Sequence, residues 1–172
     1  MAIVKANYTK KAGAAKASVR YIEHRPGKDG KRITRALFGS DGLMERYAAY
    51  AMIDEAQEGN IFFRFVLSPD PNKEDSEHDL HLREITRSTM NTLEERLGKP
   101  VSWVAAIHAD HVPHRHVHIV AVIDGRLQKN DFPALTKAAT EASLEQRHEL
   151  DAAREQKERE SKQKEAQWVR ER

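Results

Sequence analysis

The chain has 172 residues, a formal net charge of +2, 39% hydrophobic and 33% charged residues, and no cysteine. The length suits one domain with a proper core rather than two. The missing cysteine excludes disulfides and thiolate metal ligands, so any metal must be held by imidazole, carboxylate or water. No apolar run approaches the ~18 residues that a membrane-spanning helix needs, and the N-terminus MAIVKANYTKKAG has no apolar secretory core, which sets a cytoplasmic expectation.

Basic residues crowd the front of the chain. Lys5, Lys10, Lys11, Lys16, Arg20, Arg25, Lys28, Lys31, Arg32 and Arg35 face only Glu23 and Asp29 over this stretch. Such a footprint suits phosphate-rich ligands. Taken in order, Ala2–Tyr8 reads as a first strand. Ala12–His24 is Ala-rich, free of proline, and places Val19 and Ile22 three apart, which predicts a helix ending before Pro26-Gly27. Lys31–Phe38 reads as a second strand. The turn-like Gly39-Ser40-Asp41-Gly42 leads to a helix expected over Leu43–Gln57, with Tyr47, Tyr50 and Ala51 as its apolar stripe. Asn60–Ser68 (NIFFRFVLS) predicts a strand that Arg64 interrupts, stopped by Pro69 and Pro71. A long helix is expected over Glu74–Leu97, closed by Gly98 and Pro100.

The segment Val101–Ile123 (VSWVAAIHADHVPHRHVHIVAVI) carries five of the nine histidines. Two β-branched runs, Val101–Ile107 and Val117–Ile123, flank a short loop with Pro113 and predict an antiparallel hairpin. Strand side chains alternate, so His116 and His118 share a face. If His108 lies opposite His116, then Ala106 lies opposite His118 and three imidazoles converge. That is a metal site in geometry as well as in composition. Asp110 is placed to orient a ligand imidazole through its second nitrogen. His111 and His114, in the loop, stay open as substitute ligands.

Beyond Asp124-Gly125, Pro133 starts a last helix that runs into a charged tract over Glu141–Arg172. Apolar residues are sparse there, and a solvated helix or partly disordered tail is expected. The domain division is therefore 1–132 for the body and 133–172 for a charged helical extension, whose unbroken helical pattern would suit the front piece of a longer chain. The element order β-α-β-α-β-α-β-β-α implies an α+β fold, a mostly antiparallel central sheet with helices on one face.

Three neutral imidazoles leave a divalent ion with open positions, free to act as a Lewis acid. Among possible nucleophiles, Tyr21 stands beside Arg20, His24 and Arg25, where cations favour both a phenolate and a phosphate. Tyr8, Tyr47 and Tyr50 read as packing residues.

The stretch His108-Ala-Asp-His-Val-Pro-His-Arg-His116-Val-His118-Ile-Val resembles the third motif of the HUH-superfamily relaxases, the plasmid-mobilisation nucleases. Phe65-Val-Leu-Ser68-Pro before a long helix is similar to their second motif. Ser-Val-Arg-Tyr21-Ile-Glu-His is similar to their first, which carries the nucleophilic tyrosine. All four tyrosines precede His108, which is the relaxase order. Rolling-circle replication initiators place theirs after the His-x-His motif. A single tyrosine in the first helix looks most like the P-type mobilisation group. The spacing from His108 to His116 is longer than that group's pattern, which leaves open whether His114 replaces His108.

The resemblance implies an HUH-endonuclease fold and a metal-dependent transesterase. Tyr21 would nick single-stranded DNA at an origin of transfer through a 5′-phosphotyrosine, in conjugative plasmid mobilisation. His108, His116 and His118 would hold the metal, Mg2+ or Mn2+, and Asp110 would orient an imidazole or help take the phenol proton. Arg20, Arg25, Lys31, Arg32 and Ser68 would contact DNA. The partners implied are origin DNA, relaxosome accessory proteins and a coupling protein. The alternatives are a non-catalytic metal-binding DNA module, a rolling-circle replication initiator, or a metal-dependent hydrolase using water.

Overall fold

A computed structural model describes residues 1–110 and 114–171. Ten elements follow one another: β1 (Ile3–Thr9), α1 (Ala12–His24), β2 (Leu37–Gly39), β3 (Gly42–Met44), α2 (Arg46–Asp54), β4 (Asn60–Ser68), α3 (Leu82–Leu97), β5 (Ser102–His108), β6 (His116–Asp124) and α4 (Asp131–Arg170). The strands make one sheet in the order β1-β4-β6-β5-β2-β3, and every pairing is antiparallel. The α+β class with an antiparallel sheet is as expected.

The helices are not confined to one face. Along β4, Ile61, Phe63, Phe65 and Leu67 join Trp103, Ile119 and Ile123 in a core against α3 and α4. The even-numbered Phe62, Val104, Ala106 and Val120 form a second core against α1 and α2. Because the central strands are apolar at both parities, the sheet needs cover on both sides, and two helices pack on each. A fully buried large aliphatic or aromatic side chain contributes roughly 1.5–3 kcal/mol, and both cores are built from such residues.

The segments that depart from expectation do so for local reasons. Lys31–Phe38 is not one strand. Only Leu37–Gly39 joins the sheet, while the Arg35 amide donates to the Glu23 carbonyl at 2.9 Å, so this stretch packs on the end of α1. Leu43 is strand, not helix: Gly42, at φ +119°, turns the chain back so that Met44 pairs with Leu37. A side chain on Gly39 would meet the Trp103 carbonyl oxygen at 3.0 Å, which keeps this tight hairpin against β5. The helix then starts at Arg46 and buries Ala49 and Ile53, and Tyr47 of the expected stripe is 79% exposed.

The expected helix start at Glu74 is replaced by an acid-rich loop. Asp70 Oδ1 accepts the amides of Asn72 and Lys73, and Glu74 Oε2 accepts that of Asp70. Further on, Asp75 Oδ1 accepts the Leu80 amide and Gln146 Oε1 that of His81, amides that a helix from Glu74 would bond internally, so α3 begins at Leu82. The first half of α4 belongs to the body: Leu135, Ala139, Ser143 and Arg147 are buried, whereas residues 151 to 171 are exposed throughout. Packing thus carries the body past residue 133. No helix among the described residues is long and apolar enough to cross a membrane.

Candidate metal centre and nucleophile

β5 and β6 lie in the middle of the sheet, and their register pairs His108 with His116 and Ala106 with His118. This is the register under which alternation brings all three imidazoles to one face. The three imidazoles share the face covered by α1 and α2, and one nitrogen from each lies within 4.8 Å of one from each of the others. Ring centroids are 4.4 Å apart for His108–His118, 4.9 Å for His116–His118 and 5.3 Å for His108–His116.

The hydrogen bonds separate this cluster from ordinary core histidines. His108 is fully buried, and its Nε2–H donates to the Ile22 carbonyl at 2.9 Å. That bond fixes the tautomer and turns the Nδ1 lone pair inward, where it has no hydrogen-bond partner. His118 Nε2 is also buried without one. An unsatisfied buried polar atom costs about 1–3 kcal/mol. A metal-ligating imidazole typically donates its other nitrogen to a backbone carbonyl or carboxylate, and His108 has that arrangement. His116 Nδ1 lies 3.3 Å from the His114 carbonyl oxygen. His114 itself is exposed, and His111 lies outside the described residues.

Electrostatics prepare the rings to be ligands. Burial, then the neighbouring His118, pushes His108 down to about 3. Burial, then His116, Arg25 and Arg35, pushes His118 down to about 4. Both rings are neutral at neutral pH, as metal ligation requires. The donor chemistry and the two orphaned nitrogens fit a divalent cation.

Asp110 is not the group that orients His108. The Ile22 carbonyl does this for His108. The Asp110 carboxylate instead receives Arg35 Nη2 at 2.7 Å, and Arg35 Nη1 donates to the Arg25 carbonyl at 2.7 Å. Arg35 thus ties the end of the β5 strand to the end of α1. Behind the hairpin, Arg115 donates through Nε and Nη2 to the Asp75 carboxylate, at 2.8 and 2.6 Å, which anchors the residue just before His116 to the acid-rich loop.

α1 brings Tyr21 to the cluster. Ala15, Ser18, Val19 and Ile22 form its buried stripe. Tyr21 sits on the margin of that stripe at 51% exposure, with its ring edge-on to His118 at 6.3 Å between centroids. The Arg25 guanidinium lies 5.7 Å from the Tyr21 ring centroid. Tyr8 pairs with Phe63 and packs on its ring at 5.6 Å, which places it on the opposite face of the sheet. Tyr50 is a partly buried α2 residue with the Lys16 ammonium over its ring.

Two clefts meet at Tyr21. One, of about 630 Å³, is basic: Arg20, His24, Arg25, Arg32 and Arg46 line it. The other, of about 540 Å³, runs under α1 and is lined by Ser18, Arg64, Val66, His118 and Val120, with Asn7 across the floor. Of the residues expected to contact DNA, Arg20, Arg25 and Arg32 share the basic cleft with Tyr21. Lys31 is exposed in the preceding turn, where its amide donates to Asp29 Oδ1. Ser68 ends β4. Sequence reasoning misses Arg64, Arg35 and Arg46 as site residues. Arg64 leaves a signal, as the one charged residue inside an apolar strand.

Fold and site together define an α+β protein with a three-histidine, metal-ready centre facing a tyrosine and an arginine-lined cleft. A scan against protein-family models matches none, and no curated protein matches the chain.

Proposed function

We propose that this chain is a DNA-nicking and religating transesterase of the HUH relaxase type, acting on single-stranded DNA with Tyr21 as nucleophile. The observation that carries this reading is Tyr21 standing against the His108–His116–His118 cluster at the mouth of an arginine-lined cleft. A divalent ion on the three imidazoles would polarise the non-bridging oxygens of the scissile phosphate as a Lewis acid. An all-imidazole donor set suits Mn2+ better than Mg2+, which prefers carboxylate and water oxygens.

The chain's own residues supply the rest. Arg20, Arg25 and Arg32 neutralise the strand's phosphates and hold it along the cleft. Tyr21 Oη attacks phosphorus, the bond to the 3′-oxygen breaks, and a 5′-phosphotyrosine with a free 3′-hydroxyl results. The phenol proton leaves to solvent on the exposed side of the ring, and the departing 3′-oxygen takes one up. One phosphoester replaces another, so the step reverses and the strand is religated. Arg25, 5.7 Å from the ring centroid, is placed to offset the negative charge that develops during the attack. Asp110 acts through Arg35 by holding the hairpin to α1. Conjugative plasmid mobilisation, with relaxosome and coupling proteins as partners, is the setting the resemblance implies.

The test is a labelled origin oligonucleotide incubated with protein and Mn2+. A protease-sensitive shifted band is expected, absent in Tyr21→Phe. An adduct that persists in Tyr21→Phe but is lost in Tyr8→Phe moves the nucleophile to the other face. Cleaved product without adduct points to a water-using hydrolase. Salt-sensitive binding with no cleavage under any metal points to a non-catalytic DNA module.

A further inference from the structure

Arg64 stands mid-strand in β4, on the same sheet face as the histidines, beside Val120 and opposite Asn7. Its Nε is buried with no hydrogen-bond partner. Nη1 donates to Ser18 Oγ over a long 3.4 Å, and that hydroxyl in turn donates to the Ala14 carbonyl at 3.0 Å. Among the described residues no carboxylate pairs with Arg64, unlike Arg35, Arg115 and Arg147, which all have one. A guanidinium held this way in a folded core is costly unless something else completes it. Arg64 also lines the 540 Å³ cavity that Tyr21 and His118 line.

That cavity differs in chemistry from the basic cleft on the other side of Tyr21. Ala14, Ala17, Val66 and Val120 make flat apolar walls, Asn7 adds a neutral amide, and Arg64 is the only charge among the described residues that line it. Phosphates belong with the arginines of the first cleft. A planar, mostly apolar group with paired acceptors belongs here. The volume falls in the range of small-ligand pockets, and apolar walls accept a base that has left the stack.

We propose that this cavity holds a guanine base of the bound strand, next to the scissile phosphate, and that Arg64 recognises it. The proposal rests on the reading of this chain as a single-strand DNA binder. An arginine edge presents two parallel N–H groups, which match the O6 and N7 acceptors of guanine bidentately. Adenine sets a donor against that fork. Cytosine offers the smaller O2/N3 pair and fills less of the space. Specificity beside the cut would thus come from β4, and strand affinity from α1 and the segment after it.

Equilibrium binding in EDTA tests this apart from cleavage. The probes are fluorescent 25-mers of dT carrying one central dG, dA, dC or 7-deaza-dG, with all-dT as reference. The wild-type protein should bind the dG probe about 5–100-fold tighter than the dA probe, the span of one bidentate base contact. The 7-deaza probe, which lacks N7, should lose most of that preference with no change to the protein. Arg64→Lys keeps the charge and loses the fork, so it should abolish the dG preference. A dG preference that survives Arg64→Lys, a stronger preference for dC, or no preference at all overturns the assignment. So does an Arg64→Gln variant that weakens every probe equally with a shallower salt dependence, which would make Arg64 a phosphate contact. If dT binds without base preference, only the guanine pocket falls. If no oligonucleotide binds, the DNA reading falls with it.

Discussion

The two faces of the central sheet are built from the same strands and do different work. Odd-numbered residues of β4, β5 and β6 (Phe63, Phe65, Trp103, Ile119) turn to α3 and α4 and are wholly apolar. Even-numbered residues turn to α1 and α2, and among Phe62, Val104 and Val120 they include Arg64, His108 and His118. These strands contribute no polar side chain to the first face, and α3 leaves one buried nitrogen there, Arg87 Nε, without a partner. The second leaves two orphaned imidazole nitrogens and one unpaired guanidinium nitrogen. Such costs persist only where the rest of the structure over-determines them, and they collect at functional sites. The sealed face is what allows the open one.

Breaking the sealed face should have the largest effect on stability. Phe65 is almost fully buried between β4's neighbours and α3, so Phe65→Ala should cost about 3–5 kcal/mol, read as a lower urea midpoint. On the open face, His118→Gln should reduce Mn2+ affinity by more than the ~10–100-fold typical of a supporting residue, measured by titration calorimetry, with little loss of apo stability. Equal stability losses from the two variants would erase the contrast between the faces.

Between pH 6.5 and about 5, above the range in which Asp70 and Asp79 lose their stabilising partners, acid should act through the open face. His108 and His118 are depressed to about 3 and about 4 from an ordinary 6.5. Between those values and 6.5 the unfolded chain binds more protons than the folded one, so stability rises with pH. The histidine contribution is fully present above about 6.5 and is lost as pH falls through about 4. The first unit below 6.5 should lower metal-free stability by on the order of 1–2 kcal/mol, and His118→Gln should flatten this slope. The smallest effect belongs to neither face. Residues 155 to 171 of α4 are exposed throughout and lie beyond the Arg147–Asp151 and Arg154–Asp79 pairs, so ending the chain after Arg154 should change stability by no more than about 0.5 kcal/mol, seen as an unchanged urea midpoint.

Alternation of side chains is a local rule, and it makes the histidine face legible in the sequence alone. One register choice in a short hairpin places His108, His116 and His118 together, and the sheet has that register. The first helix is equally legible, because a stripe at Ala15, Val19 and Ile22 depends only on spacing. Elements whose ends are set by side chains acting on backbone are not. Asp75 and Gln146 satisfy the amides of Leu80 and His81, which a longer α3 would have used. Arg35 is visible as one basic residue among many, and nothing in its neighbourhood along the chain announces Asp110, which is 75 positions away.

By itself the sequence determined the donor chemistry, imidazole without thiolate, and the shared face of His116 and His118. It also determined that any tyrosine nucleophile precedes them. Only the tertiary structure decided that α1 docks on that face, setting the Tyr21 ring 6.3 Å from His118 and the Ile22 carbonyl on His108 Nε2. It alone sent α3 and α4 to the other side and left Arg64 facing a cavity rather than a carboxylate. Periodicity along a strand is written in neighbouring residues. Which helix covers a sheet face depends on the summed burial of both faces, a property that no single stretch of the chain carries.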